Sequence, residues 1–327
     1  MPQQPNVGSV HVNRPLTNIS VAWIQDQSHF VSTKDSIVPS DKRSNVYFTY
    51  TQNDWFRDEA QPRAGGTESA GGGYNVDPSG SFNCLVYAFH KDVDEQVRLN
   101  EDDPLDGKRD AIKFVTRKLL LKQEILWMST FFAASTWTGS STGADIVPAP
   151  KWNDPTSTPI EDVQVQQASI LSKTGYLPNK LTLGFEVYQK LVRHPDIIDL
   201  IKYGASAGSP AIANEETLAK IFGVDSVMVS KGVKATNAEG GTAAYTLMAG
   251  KSALLEYVTG SPGLYEATSR YTFMWTGVSY GLGETIGAYE IPMPWLGLTT
   301  VRCEAQIAFV HKVIAPTMGV YFATAVA

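Results

Sequence analysis

Two cysteines, five histidines and no apolar run of 18 residues leave this chain without the usual signatures of several protein classes. Cys84 and Cys303 lie far apart, each in an apolar strand-like pattern, so they read as two reduced, buried thiols rather than a disulfide or metal pair. The histidines, at 11, 29, 90, 194 and 311, have no metal-ligand spacing, and no metal is expected. The opening MPQQPNVGSV lacks the basic and apolar regions of a secretory leader, so the chain is expected to be made and kept in a cytosol, without a membrane. A formal charge of −6, with bases interleaved among acids, argues against tight nucleic-acid binding.

Catalytic motifs are equally scarce. Gly281-Leu282-Gly283 lacks the third glycine of a dinucleotide turn, nothing resembles a phosphate loop, and no cofactor is expected. Gly204-Ala205-Ser206-Ala207-Gly208 matches the nucleophile elbow of serine hydrolases, with Asp225 and His311 in the right chain order. The elbow needs a strand before the serine, however, and IIDLIKY looks helical. A small-residue loop is the better reading, and a Ser206 hydrolase is a distant alternative. His194-Pro195-Asp196 reads as a helix break with a polar cap, and Glu101, Asp102 and Asp103 as a solvated capping cluster. The expectation is no enzyme and no catalytic residue.

What is present is a helix expected over 103–132. Asp103 can cap it, Pro104 suits its first turn, and no further glycine or proline follows Gly107 until Gly139. Ile112, Val115, Leu119 and Leu126 share one side, with Phe114, Leu121, Ile125, Met128 and Phe132 about 120° away. Leu120, Trp127 and Phe131 add a third line, so the second half is expected to be covered nearly all round. Such a helix is a beam for other layers.

Residues 1–45 read as an arm that needs a partner surface. Strand-like runs Val46–Thr51 and Phe82–His90 flank a loop with six glycines and no helical period, whose Trp55, Phe56 and Tyr74 suggest docking. Thr158-Pro159-Ile160-Glu161 reads as a capping box opening a helix that stops at Gly175. From Tyr176 short elements alternate: a strand at 181–184, a helix at 185–193, a helix at 215–222, and strands at 227–230, 245–250 and 271–275. Val301, Cys303, Ala305 and Ile307 then face one way against Arg302, Glu304 and Gln306, and this strand is expected to pair with a last one over 319–326.

This order of arm, β-loop, long helix, capped helix, α+β domain and closing strands resembles the major capsid proteins of tailed double-stranded DNA bacteriophages, which share the Hong Kong 97 type fold. Ser172 to Gly204, SKTGYLPNKLTLGFEVYQKLVRHPDIIDLIKYG, is similar to the family's entry to its axial domain, as are Trp152-Asn153-Asp154 and Pro159-Ile160 to its second helix. The resemblance implies an α+β chain with an N-terminal arm (1–45), an extended β-hairpin loop (46–90), a peripheral domain (91–175) with its spine helix, a compact axial domain (176–291) and closing peripheral strands (292–327). It implies hexamers and pentamers of an icosahedral head around double-stranded DNA that is held without sequence-specific binding. It also implies a virion location after assembly in the host cytoplasm, with scaffolding, portal and decoration proteins as partners. An encapsulin-type compartment is the alternative.

Candidate intersubunit contacts are Trp55, Phe56, Arg57, Asp58, Arg63 and Tyr74 in the loop, with Arg109 and Arg117 on the helix. Some members of the family cross-link a loop lysine to a neighbour. Here no lysine falls between Lys42 and Lys91, so a non-covalent shell is expected. With about 44 residues before the loop, a separate scaffolding protein and no cleavage are expected.

Overall fold

The computed structural model describes residues 24–101, 106–204, 213–263, 265–278 and 287–327. The Ser206 loop, most of the arm, Asp103 and Pro104, and Gly281 to Gly283 lie outside the described residues. After two single 3-10 turns, at Gln27–His29 and Ser32–Lys34, come β1 (Ile37–Ser40), β2 (Ser44–Tyr50), α1 (Gln52–Phe56), β3 (Val76–Asn83), β4 (Leu85–Val93) and α2 (Glu95–Leu99). The long helix α3 (Gly107–Phe131) follows, then α4 (Pro159–Thr174), β5 (Lys180–Gly184), α5 (Phe185–Leu191), α6 (Pro195–Gly204) and α7 (Glu215–Phe222). The remaining strands are β6 (Ser226–Ser230), β7 (Val233–Ala235), β8 (Tyr245–Leu247), β9 (Ala253–Glu256), β10 (Arg270–Trp275), β11 (Gly287–Pro292), β12 (Val301–Val313) and β13 (Gly319–Phe322).

Two sheets carry the fold. In the first, β12 is the hub: β4 runs antiparallel along Val301 to Phe309, while β11 and β10 divide its other side and β1 joins β10 in parallel. The alternation expected for β12 holds, because Val301, Cys303, Ala305 and Ile307 are buried while Arg302, Glu304 and Gln306 are half-buried. That apolar face receives Val115 and Leu119 of α3. In the second sheet β13, β9, β5 and β6 lie side by side, and α4 to α7 cover a core that contains Trp152, Ile170, Leu183 and Phe222.

The helix begins later than the sequence suggests. Asp106 accepts the Lys108 and Arg109 amides at 3.1 Å and leaves Gly107 as the first helical residue, where a flexible backbone costs least. Two adjacent rows are buried, Ala111, Val115, Leu119, Gln123, Trp127 and Phe131 in one and Leu120, Glu124 and Met128 beside it. Phe114 is 44% exposed, and Leu121 and Ile125 are partly so. The second half is covered nearly all round as expected, with only Lys122 and Ser129 exposed between 119 and 132, although the polar Gln123 and the acidic Glu124 take two of its buried places.

Three other expectations are corrected. The run Phe82–His90 is two strands: β3 pairs with β2, then the chain breaks at Cys84, whose amide bonds to the Arg43 carbonyl at 2.8 Å, and β4 leaves for β12. The period of two runs through this break and hides it. The loop is not wholly irregular, since α1 interrupts it. The last two strands do not pair; β13 crosses to β9, whose apolar residues it faces in the second sheet. At α4, Pro159 opens the helix as expected and Gly175 ends it in the left-handed conformation, but the Thr158 side chain makes no cap.

β13 is locked in place by a close approach. Gly139 donates to the Gly319 carbonyl at 2.9 Å, and a Cβ on Gly319 would come within 2.2 Å of the Trp137 ring, itself buried. Gly319→Ala is expected to destabilise the chain by about 1–3 kcal/mol through overpacking, measured by chemical denaturation; unchanged stability would show that Trp137 has room to move.

Candidate assembly surface and the junction behind it

The loop between β2 and β3 keeps its shape through a cluster of rings. Tyr50 lies 6.0 Å from Trp55, 5.9 Å from Tyr74 and 5.2 Å from Tyr265, centroid to centroid. Yet Trp55 is 55% and Tyr74 62% exposed, so the cluster saturates neither. Phe56 rests on the C-terminal end of α4, where a Cβ on Gly175 would come 3.0 Å from its ring; it is still 60% exposed. Gln52 anchors the loop's base by donating to the Lys173 carbonyl.

The charged candidates are placed differently. Arg57 pairs with Glu59 at 2.9 Å and lies 3.9 Å from Asp54, while Arg63 donates to the Thr67 carbonyl at 2.6 Å, both within the loop that also carries Asp58. On α3, Arg109 sits 3.8 Å from Asp110, and Arg117 donates to the Gln25 carbonyl at 3.3 Å. The structure thus brings Trp55 and Tyr74 together, leaves Phe56 to one side, and gives Arg57, Arg63 and Arg117 work inside the chain. The sequence reading missed a second apolar surface, where Leu99, Trp295, Leu296 and Leu298 are all exposed. Glu95 and Arg98 of α2 fix that turn through the Thr299 amide and carbonyl, so its side chains are held outward.

Behind these surfaces lies a buried ionic junction that the sequence reading also missed. Arg270 of β10 donates from Nε and Nη2 to the two Glu256 oxygens of β9, at 2.8 and 3.0 Å, and pairs through Nη1 with Asp35, just before β1. Its guanidinium lies 4.7 Å from the Trp127 ring and 4.8 Å from the Phe131 ring of α3. Asp35 also accepts from Trp127 Nε1 at 2.9 Å and from the Thr272 hydroxyl at 3.0 Å. One cation therefore joins both sheets, the long helix and the N-terminal segment. That segment is held again where Glu124 accepts the Val31 and Ser32 amides at 3.1 and 2.8 Å. From residue 24 onward the expected arm thus has its own chain as partner surface.

Burial alone would raise the Asp35 carboxyl, but Arg270 and the Trp127 indole outweigh it and hold it below its ordinary value. Burial likewise works against the Arg270 charge, and Asp35 and Glu256 more than restore it. Glu124 is pushed up by burial. His311 is depressed to about 4, chiefly by burial. Since the Thr272 hydroxyl donates to Asp35, its 2.9 Å contact with His311 requires the proton on His311 Nδ1, which leaves Nε2 bare beside Phe131 and Phe309. His311 is thereby committed to the core and not to a nucleophile. His194 is equally engaged, 3.0 Å from the Ser157 hydroxyl and 3.1 Å from the Asp154 carbonyl, with both side chains buried and the Ser157 Oγ donating to that same carbonyl at 2.7 Å. Among the described residues no cluster of potential ligands could hold a metal ion, and no helix is long and apolar enough to cross a membrane.

Two outcomes follow from the junction. Arg270→Leu strands two buried carboxylates and is expected to cost about 3–5 kcal/mol in chemical denaturation, and Arg270→Lys should recover little because it cannot meet Glu256 with two parallel bonds; a tolerated Leu would contradict the account. The second concerns pH. Unfolded His311 takes a proton below about 6.5 and the folded one only near 4, so the unfolded state binds more protons between these values. Stability should therefore fall by up to roughly 3 kcal/mol as pH drops from 6.5 to 4. The Asp35 contribution is lost only below 3.8, and Glu124 acts in the opposite sense as pH rises above 4.5. His311→Gln should flatten the fall in melting temperature across that window, and an unaltered slope would remove His311 from the explanation.

No protein-family model matches the chain. A major capsid protein of Burkholderia phage BcepMu is 21% identical over 184 residues, 56% of this chain and 57% of the relative, so the match spans little more than half of that protein. Among solved structures, a phage-related protein of Bordetella bronchiseptica RB50 superposes with a TM-score of 0.67 at 16% identity, over 92% of this chain and 93% of its own. The capsid of Cyanophage P-SCSP1u gives 0.61 at 10% identity, over 98% and 94%. The SrpI encapsulin complex of Synechococcus elongatus PCC 7942 gives 0.52 at 11%, over 98% and 96%. By this likeness to capsid structures over nearly the whole of its length, this chain has the Hong Kong 97 type capsid fold.

Proposed function

We propose that the chain is the major capsid protein of a tailed bacteriophage, a structural subunit that assembles with copies of itself into an icosahedral head around double-stranded DNA. The observation that carries this reading is the combination of the capsid fold over nearly the whole chain with large apolar side chains held outward and unburied, at Trp55, Phe56 and Tyr74 and again at Trp295, Leu296 and Leu298. A monomer has little use for fixed, exposed rings, whereas an interface between copies buries them.

In this reading the loop of residues 46–90 lies over a neighbour, residues 91–175 and 292–327 make the peripheral domain and residues 176–291 the axial one, around pentamer and hexamer centres. Trp55, Phe56 and Tyr74 are the leading contacts. Arg57, Asp58, Arg63, Arg109 and Arg117 are secondary ones, because surface ion pairs contribute little and several already have partners in the chain. A separate scaffolding protein, a portal protein and a decoration protein are the further partners, assembly takes place in the host cytoplasm, and the subunit performs no catalysis. The encapsulin reading shares the fold and differs in content.

Negative-stain microscopy of the purified protein should show closed particles or capsomers, and denaturing gels of those particles should show one band without a covalent ladder. Trp55→Ala with Tyr74→Ala should abolish particles while leaving a folded chain. A small monodisperse monomer would contradict the proposal, and particles that enclose a protein cargo would favour the compartment reading.

A further inference from the structure

The interleaving of acids and bases along the sequence does not survive folding on one surface. Where β4 lies against α3, Lys91 and Lys118 place their ammonium groups 5.8 and 5.4 Å from the Phe114 ring, and Lys122 sits 5.8 Å from the Tyr87 ring. Phe89 packs beside Phe114 at 5.9 Å. Among the described residues none of these three lysines has a carboxylate within 4 Å, although Lys108 and Arg302 nearby do. The acids that could have neutralised them are committed elsewhere: Asp92 to Arg302, Glu290 to Lys108, Glu304 to the Tyr289 hydroxyl, and Glu124 to the backbone of the N-terminal segment.

A ring and a carboxylate position a lysine in different ways. A carboxylate cancels the charge, whereas an aromatic face holds the ammonium in place and leaves it for a second anion. Lys118 and Lys122 stand one helical turn apart, about 6 Å along the axis, with Lys91 beside them on the strand. Duplex DNA presents a charge every ~1.7 Å of its length, so three ammoniums at this spacing meet adjacent phosphates without reading bases. On a chain of net charge −6, such a surface is where a polyanion would settle.

We infer that Lys91, Lys118 and Lys122 form a sequence-independent contact for the phosphate backbone of double-stranded DNA. The inference rests on the proposed shell function and names the face of the subunit turned toward the packaged duplex. A contact of at most three phosphates per copy is weak alone and additive over many copies, which suits DNA that must be packed and later released.

Fluorescence anisotropy of a labelled, random-sequence duplex of about 30 base pairs, titrated with the unassembled full chain at several salt concentrations, tests it. Binding should weaken with salt, with a log–log slope approaching −2.7, about −0.9 per lysine. Each of Lys91→Gln, Lys118→Gln and Lys122→Gln should lower the slope by about 0.9, Lys→Arg at the same sites should preserve it, and Lys108→Gln should leave it unchanged. Absence of duplex binding at low salt, an unaltered slope in the triple Gln variant, or tighter binding of poly-glutamate than of duplex would overturn it, the last in favour of an acidic protein partner. Microscopy of the same preparations keeps the two readings apart: particles without duplex binding reject the lysine face alone, and duplex binding without particles rejects the shell and retains the face.

Discussion

A single buried guanidinium holds this subunit together. Arg270 lies between Glu256 of one sheet and Asp35 of the N-terminal segment, over the rings of Trp127 and Phe131. Bringing three charges out of water is costly, and the cost is offset only because hydrogen-bonding capacity is met on both sides, with Ser269 donating to Glu256 and Thr272 and Trp127 to Asp35. An apolar plug of the same volume could fill the space equally well. What it could not supply is a fixed direction for the helix, both sheets and the entering chain at once, and the proposed shell, in which faces meet copies of themselves, needs those directions to be repeatable.

The apolar surface is distributed to match. Inside, β12 gives its alternating face to α3 and the second sheet closes over Trp152 and Phe222. Outside, the chain keeps rings it cannot cover, at the loop tip and at the turn before β12. Both surfaces are stiffened from behind, one by Tyr50 and Tyr265, the other by Glu95 and Arg98. Side chains already ordered lose less entropy on association, so modest contacts would suffice when repeated over the proposed shell.

Much of the architecture could be read from residues. The period-two pattern of Val301 to Ile307 identified the hub strand, and Pro159 with Gly175 bounded a helix, because these signals are local. The pairing of β13 with β9 and the break at Cys84 were not legible, since strand partners are chosen by tertiary packing while alternation merely continues. Nor was the junction. Arg270 in an apolar strand implies a buried acid, but nothing in the sequence says which of 33 acids answers it. That Trp55, Phe56 and Tyr74 stand unburied was legible because aromatics are out of place in a glycine-rich loop. Trp295, Leu296 and Leu298 were not, because apolar residues next to a strand look like its continuation.

The central claim is that the loop's rings are held in place by the chain but covered only in the proposed assembly, while the junction is covered within the chain itself. Hydrogen exchange of dissociated subunits and assembled particles tests this most directly. The account predicts that amides of residues 51–75 exchange faster than those of α3 and β12 in the subunit and become better protected in the particle, whereas those of α3 and β12 are equally protected in both. Loop amides equally protected in the isolated subunit, or unprotected in the particle, would contradict it.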